Sequence, residues 1–170
     1  YKTAPYNWEA PVPDHTFTMY YYNEDLSTDT DMGKVDMWMW NAGLNGSYVF
    51  DETEYDAANN VTWFKKTITV AGSNVGKTVG LKARYDITQG WDGGSDTADR
   101  SFTISGDENE VLYYVDGSDP VHEKPTIVPT EKRYLVLDYE NPGLKEKGIT
   151  PQFYTWSSGY ACLLYTSDAA

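Results

Sequence analysis

The chain has 170 residues, enough for one folded domain and part of a second. It carries 26 acidic against 13 basic residues, and the resulting net charge of −13 repels phosphate backbones and anionic lipid. Nucleic acid and membrane insertion are therefore disfavoured, and no apolar run approaches the roughly 20 residues that cross a bilayer.

Aromatic residues make up 15% of the chain, with 15 Tyr and 6 Trp, which is more ring surface than a small core needs. Some of these rings are therefore expected at the surface for a functional reason. The single cysteine, Cys162, excludes a disulfide framework and a metal cluster of the CxxC kind. No cofactor and no metal site are expected.

Strand signals dominate, and no segment keeps a period of 3.6 residues. The predicted strands alternate apolar and polar positions and end at Gly, Asn or Asp; they are residues 17–22, 35–40, 62–70, 78–85, 100–104 and 111–115. This pattern predicts an all-β fold, an antiparallel β-sandwich of immunoglobulin-like type with about 100 residues. Such a domain buries a core without disulfides.

The second predicted strand contains two tryptophans in alternation with two methionines. Trp38 and Trp40 share one face of the strand, and Met37 and Met39 share the other. Because methionine packs well in a core, the indoles are predicted to face out as a two-ring platform. Their spacing of roughly 6.5–7 Å is close to that of successive sugar rings. The alternative places both indoles in the core and the methionines outside.

A third indole, Trp91, lies in a glycine-rich acidic segment, which predicts an exposed loop. Asp96 of the same segment could accept hydrogen bonds from sugar hydroxyls. On the preceding strand, Lys82 and Arg84 share a face. They either donate to hydroxyls near the platform or are solvated surface charges.

Trp63 and Phe64 are neighbours on the strand 62–70 and point to opposite faces. Phe64 shares its face with Ile68 and Val70, so it is predicted to be core. Trp63 is then predicted to be a partly exposed residue in a supporting role.

The later part of the chain repeats a pattern of its first half. Residues 134–141 and 153–159 match residues 19–24 and 37–43 in kind, which indicates a second, truncated copy of one module. Prolines before it indicate a linker. The last nine residues read like an in-frame sequencing-library adapter. The predicted division is a flank at 1–15, a module at 16–118, a linker at 119–131, the truncated copy at 132–161 and a non-native tail at 162–170.

Residues 17–116 resemble the pullulanase-associated carbohydrate-binding modules of family 41. The motifs shared are an aromatic first strand (Tyr20 to Tyr22), the pair Trp38 and Trp40, and Trp91 with Asp96 and Asp99-Arg100. The resemblance implies binding of α-1,4 and α-1,6 glucans through the three tryptophans and Asp96. It also implies a lysine just before that aspartate, where this chain has Ser95, and Lys82 is the expected substitute.

We therefore expect a non-catalytic module that binds starch, pullulan or glycogen by aromatic stacking. It would be an accessory of an extracellular pullulanase-type glycoside hydrolase, secreted by a bacterium and monomeric within a multidomain chain. Catalysis by this fragment is disfavoured, because a glycosidase needs two carboxylates in a cleft and these acidic residues lie mostly in turns. The alternative is a structural or adhesive β-sandwich of a bacterial surface protein, which leaves the outward tryptophans unused.

Overall fold

A computed structural model of the chain describes residues 10–128 and 146, and the strands Gln152–Thr155 and Ala161–Leu164. The chain separates into two units, Tyr1–Pro129 and Thr130–Ala170. In the second unit, β9 (Gln152–Thr155) and β10 (Ala161–Leu164) form an antiparallel pair. The predicted second copy and tail otherwise lie outside the described residues, and both remain predictions.

Residues 10–128 fold into two four-stranded sheets. The strands of the first sheet, in spatial order, are β4 (Glu52–Asp56), β5 (Val61–Val70), β1 (His15–Tyr22) and β8 (Glu110–Val115). All neighbours in this sheet are antiparallel except β1 and β8, which run parallel. This pair is the one departure from the fully antiparallel sandwich expected from the sequence.

The second sheet is antiparallel throughout. Its strands, in spatial order, are β3 (Leu44–Val49), β2 (Asp36–Asn41), β6 (Thr78–Arg84) and β7 (Arg100–Thr103). The helical segments among residues 10–128 are short: α1 (Thr28–Asp31) and 3-10 turns at Gly72–Asn74 and Ile87–Gly93. In this described part of the chain, no helix combines the length and apolar character needed to span a membrane.

The core lies between the two sheets and is built from inward residues of every strand in them except β4, together with residues that adjoin the strands. Its largest members are fully buried aromatic, methionine and branched aliphatic side chains: Phe17, Met19, Tyr21, Met37, Met39, Phe50, Phe64, Leu81, Ile104, Leu112 and Tyr114. Removing this much apolar surface from water is the main driving force for the fold. The all-β sandwich predicted from the sequence is confirmed.

The two strands that the sequence did not indicate, β3 and β4, each end a sheet. Four of the five residues of β4 are exposed, and its sequence is Glu-Thr-Glu-Tyr-Asp. Strand β3 contains Asn45, Gly46 and Ser47. Short, charged or glycine-containing edge strands resist pairing with other molecules, and the same composition removes the hydrophobic alternation by which a strand is recognised.

Residues 120–127, which we call the strap, cover the outer face of the first sheet. Val121 forms two backbone hydrogen bonds with Tyr113 of β8, of 2.8 and 3.0 Å. Farther along, the Asn59 amide donates to the Pro125 carbonyl (3.1 Å) and accepts from the backbone N–H of Ile127 (2.9 Å). The strap therefore runs from the β8 edge across the sheet to the turn between β4 and β5.

A second apolar cluster lies on this outer face, formed by Tyr20, Val61 and Trp63 and packed against Ile127 of the strap. Trp63 is only 1% exposed, and its indole N–H donates to Asp56 (3.4 Å). The prediction that Trp63 is partly exposed is therefore wrong. The sequence pattern placed it on the correct face, but the strap that covers that face lies in the predicted linker. The domain boundaries themselves stay a prediction.

Asp56 of β4 forms an ion pair with the strap. Lys124 Nζ lies 3.3 Å from its carboxylate, and Asn59 Nδ2 donates to the same oxygen at 2.8 Å. Hydrogen bonds from Asn59, Trp63 and Lys124 lower the pKa of Asp56 to about 2. Lys124 also lies above the Tyr113 ring, 5.7 Å from its centroid.

Candidate functional site

The outer face of the second sheet carries the two strand tryptophans. Met37 and Met39 are 1% and 0% exposed in the core, while Trp38 and Trp40 on the opposite side of β2 are half-buried. The predicted orientation is therefore confirmed, and the alternative with both indoles in the core is wrong. The rings are not fully open to water, because neighbouring residues cover part of each.

Trp40 lies against the backbone of β6. Its cross-strand partner is Gly80, where an added Cβ would stand 2.2 Å from the indole ring. A side chain at this position would displace the ring, so glycine is needed for close approach. The sheet backbone thus supports the ring of Trp40 from one side.

Trp91 projects from the 3-10 segment Ile87–Gly93 and is 53% exposed. Its ring centroid lies 5.8 Å from that of Trp38, and the two ring planes make an angle of 62°. The loop is held closely, since the Tyr85 N–H donates to the Gly94 carbonyl (2.9 Å) and a Cβ at Gly93 would lie 2.2 Å from the Asp86 carbonyl oxygen. The structure therefore brings a loop indole and a strand indole together, as the resemblance implied.

Arg84 lies against both of these indoles. Its guanidinium carbon is 4.7 Å from the Trp38 ring centroid and 4.6 Å from the Trp91 ring centroid, within cation–π range of both. Its Nε donates to Asp36 (2.9 Å), and Nη2 contacts the second oxygen of the same carboxylate. Ser47 also donates its hydroxyl to Asp36. The sequence placed Arg84 on the same face as Lys82 but did not indicate its contact with both rings.

Lys82 is the cross-strand partner of Trp38, so both side chains lie on the same face of the sheet. Its Nζ is 3.0 Å from Asp99, and its side chain is 22% exposed. An ammonium group is therefore present beside the indoles, held by a carboxylate. Its role as the substitute for the family lysine stays a prediction.

Asp96 is 2% exposed and enclosed by protein. Arg100 Nε donates to its carboxylate at 2.9 Å, and the Tyr114 hydroxyl donates to the same oxygen. Burial by itself raises the pKa of Asp96, but the hydrogen bonds from Arg100 and Tyr114 outweigh burial and lower it to about 2. The contacts of Asp96 give it a structural role at the base of the Trp91 loop, and the expected contact with sugar stays a prediction.

A second carboxylate also anchors the start of this loop. Tyr21 and Tyr85 each donate a hydroxyl to Asp116, at 2.7 Å in both cases. Burial and these bonds raise the pKa of both phenols above the ordinary value, so they remain neutral donors. Single tyrosines far apart in sequence gave no sign of this arrangement. In the described residues, no group of His, Cys, Asp or Glu is placed to hold a metal ion.

Three partly open indoles on a sheet and a well-tied loop form a surface suited to the apolar C–H faces of sugar rings. The fold and this surface together are those of a carbohydrate-binding module. A crystal structure of CBMd, a family CBM41 module from Eubacterium rectale Amy13K, is 90% identical to this chain. The match covers 68% of this chain and 100% of that one, with a TM-score of 0.68. The chain therefore belongs to family 41 of the carbohydrate-binding modules.

The chain is also similar, at 11% identity, to a structure from work on α-glucan recognition by family 41 modules of streptococcal virulence factors. That match covers 65% of this chain and 49% of the other, with a TM-score of 0.41, and it adds nothing to the assignment. A scan against protein families and a search of curated proteins found no match.

Proposed function

We propose that this module binds α-glucans such as starch, pullulan and glycogen by stacking sugar rings on Trp38, Trp40 and Trp91. The observation that carries the proposal is the angle of 62° between the planes of Trp38 and Trp91. Membership of family 41 supports a sugar ligand, and the motifs that resemble the family support an α-glucan.

The angle between the indoles favours a curved chain. A flat, β-linked glucan ribbon presents successive sugar faces in nearly parallel planes, and it could lie on only one of the two rings. An α-1,4-linked chain bends at each linkage and presents neighbouring rings at different inclinations. An indole pair inclined by 62° fits the bent chain better than the ribbon.

The expected affinity is moderate. Each stack covers about 50–80 Å² of apolar surface, which contributes about 1.2–2 kcal/mol. Three stacks and a few hydrogen bonds, less the cost of association, give a Kd of roughly micromolar to hundreds of micromolar. Binding of this strength permits release from a polymer and rebinding farther along.

The proposed setting is an extracellular or cell-surface enzyme. A non-catalytic module of this kind would keep an attached pullulanase-type hydrolase close to an insoluble or branched glucan. The similar module is part of Amy13K from Eubacterium rectale, which supports a larger bacterial parent. The strongly acidic composition, with a net charge of −13, suits a protein that meets a neutral polymer in solution.

Native gels that contain pullulan or amylopectin test the ligand. The wild-type module should migrate more slowly in them than in plain gels, and a gel with a soluble β-glucan should cause little retardation. Trp38→Ala or Trp40→Ala should abolish the shift. Tyr55→Ala is the matched control, because Tyr55 is an exposed aromatic of the other sheet, and it should keep the shift. Unretarded migration of the wild type would contradict the proposal and favour an adhesive sandwich.

A further inference from the structure

We propose that Arg84 is a positioning residue of the sugar site: it sets the angle between Trp38 and Trp91 before any glucan arrives. Its effect on glucan affinity rests on the proposed function. Its effect on the two rings can be measured without a ligand.

Arg84 is itself held in one place. Its side chain is 8% exposed, and that of its partner Asp36 is fully buried. Two hydrogen-bonding contacts join the guanidinium to the carboxylate, and Ser47 adds a third to the same acid. A planar guanidinium bound in this two-pronged way keeps its plane as well as its position.

Both indoles contact this fixed guanidinium group. The guanidinium carbon lies 4.7 Å from one ring centroid and 4.6 Å from the other, so the cation contacts Trp38 and Trp91 at the same time. Strand β2 already orients Trp38. Trp91 comes from a loop and is half exposed. Hydrogen bonds and close contacts of the loop fix its backbone, and contacts with Trp38 and Arg84 fix the orientation of its ring. Because Arg84 is fixed to the sheet through Asp36, it holds the loop indole in one orientation relative to the sheet.

Rings fixed in advance do not have to be ordered on binding. A Trp91 indole that rotates without this support would lose side-chain freedom each time a sugar stacked on it. We expect Arg84→Lys to raise the Kd for glucan by about 3- to 10-fold, because a lysine keeps the charge but has no planar fork.

The decisive measurement is the exciton circular dichroism of the indole pair. Wild type should show it, and Trp91→Ala should lose it. Arg84→Lys should lose most of it while thermal unfolding shows a folded protein. Arg84→Gln, which keeps a planar group without the charge, is measured in parallel in case the lysine variant does not fold. Lys65→Arg, on the other sheet, is the control and should leave the signal unchanged.

A double-mutant cycle tests whether Arg84 changes glucan affinity through the Trp91 ring. In the Trp91→Ala background, Arg84→Lys should change the Kd no further, because both substitutions act through the same ring. An added loss in that background would show that Arg84 acts on binding by a route other than the Trp91 ring, through Trp38 or the sugar itself, and would overturn the proposal. An unchanged exciton signal in folded Arg84 variants would overturn it as well. If the wild type binds no glucan, the proposed function fails, and the exciton signal still decides the role of Arg84.

Discussion

The two sheets of the sandwich each carry tryptophan on the outer face, and the two faces differ in what covers them. On the first sheet, Trp63 lies beneath the strap and is 1% exposed. On the second sheet, Trp38 and Trp40 are half-buried, and Trp91 joins them with 53% of its surface exposed. Both faces therefore present indoles outward, but only one leaves ring surface available to a ligand.

This difference shows that an outward tryptophan does not by itself indicate a binding site. Strand alternation decides which side of the sheet an indole occupies, and contacts distant in sequence decide whether another segment covers it. Beneath the strap, the aromatic residues form an additional core. On the open face, the indoles pack against a buried cation and the sheet backbone, and each of them stays partly exposed.

The largest expected effect contrasts one tryptophan from each face. Trp63→Ala should lower the free energy of unfolding by about 3–5 kcal/mol, because it leaves a cavity beneath the strap. Trp91→Ala should lower it by only about 1 kcal/mol, since about half of this residue is already exposed and its ring contacts only Trp38 and Arg84 among aromatic and cationic groups. Urea titration of both variants measures the difference.

For glucan affinity, the order should be reversed: Trp91→Ala should have the larger effect and Trp63→Ala the smaller one. The folded fraction of Trp63→Ala should bind like wild type, and Trp91→Ala should weaken binding by about 5- to 30-fold. Equal losses of stability in the two variants would remove the distinction between a covered and an open face.

The second-largest expected effect concerns Asp96, which lies at the base of the Trp91 loop on the open face. Asp96→Asn should lower the free energy of unfolding by about 2–3 kcal/mol, because Arg100 loses its buried carboxylate partner and keeps only the exposed Asp119. Although burial by itself raises the pKa of Asp96, hydrogen bonds from Arg100 and Tyr114 lower it in the folded state to about 2, below the ordinary value of 3.8 for an aspartate. Its stabilising contribution is therefore complete above about pH 4 and is lost as the pH falls toward 2.

Thermal unfolding as a function of pH tests this linkage. The wild type should lose stability between about pH 4 and pH 2, and Asp96→Asn should lose less over the same interval. Asp56 under the strap also has a lowered pKa of about 2, so Asp56→Asn is the matched comparison from the covered face. Parallel pH curves for Asp96→Asn and wild type would contradict the assigned role.

A smaller effect on stability is expected for Asn59, which hydrogen-bonds to the strap. Asn59→Ala removes the bonds to Pro125 and Ile127 and should cost about 1–2 kcal/mol. Hydrogen exchange should then become faster at the backbone N–H of Ile127, while glucan affinity stays the same. A change in glucan affinity would show that the two faces are coupled.

The smallest effect is expected for Lys82→Ala. Its ion pair with Asp99 is at the surface, so stability should change by less than about 1 kcal/mol. If the ammonium group also meets sugar hydroxyls, the Kd should rise about 2- to 5-fold. Calorimetric titration with a maltooligosaccharide separates the two roles, and an unchanged Kd would leave Lys82 a surface charge.

The sequence predicted the features that depend on local periodicity. Alternation alone places Met37 and Met39 inside and Trp38 and Trp40 outside, and the glycine-rich segment around Trp91 indicated an exposed loop. The position of Arg84 depends on the register between β2 and β6 and on how the loop returns. No pattern along the chain encodes either of these.

The wrong prediction for Trp63 and the missed contacts of Asp96 both involve residues that are distant in sequence. Trp63 was expected to be partly exposed because it lies on the face opposite Phe64, and no pattern in the sequence showed that residues 120–127 cover that face. In the structure, Asn59 and Asp56 hold that segment from more than 60 positions away in the chain. For Asp96, the sequence suggested hydrogen bonds with sugar hydroxyls, which stay a prediction, and it did not indicate the burial of this residue. Its partner Tyr114, on β8, could be assigned only once the two sheets were assembled.

The parallel pairing of β1 and β8 has a mechanical consequence. These strands are the first and last of the sandwich, and they lie side by side with Phe17 opposite Glu110 and Tyr22 opposite Val115. Tension between the start of β1 and the end of β8 therefore runs along the pair in shear and loads all their ladder bonds together. A domain loaded through the two ends of its chain would therefore resist being pulled open in that direction.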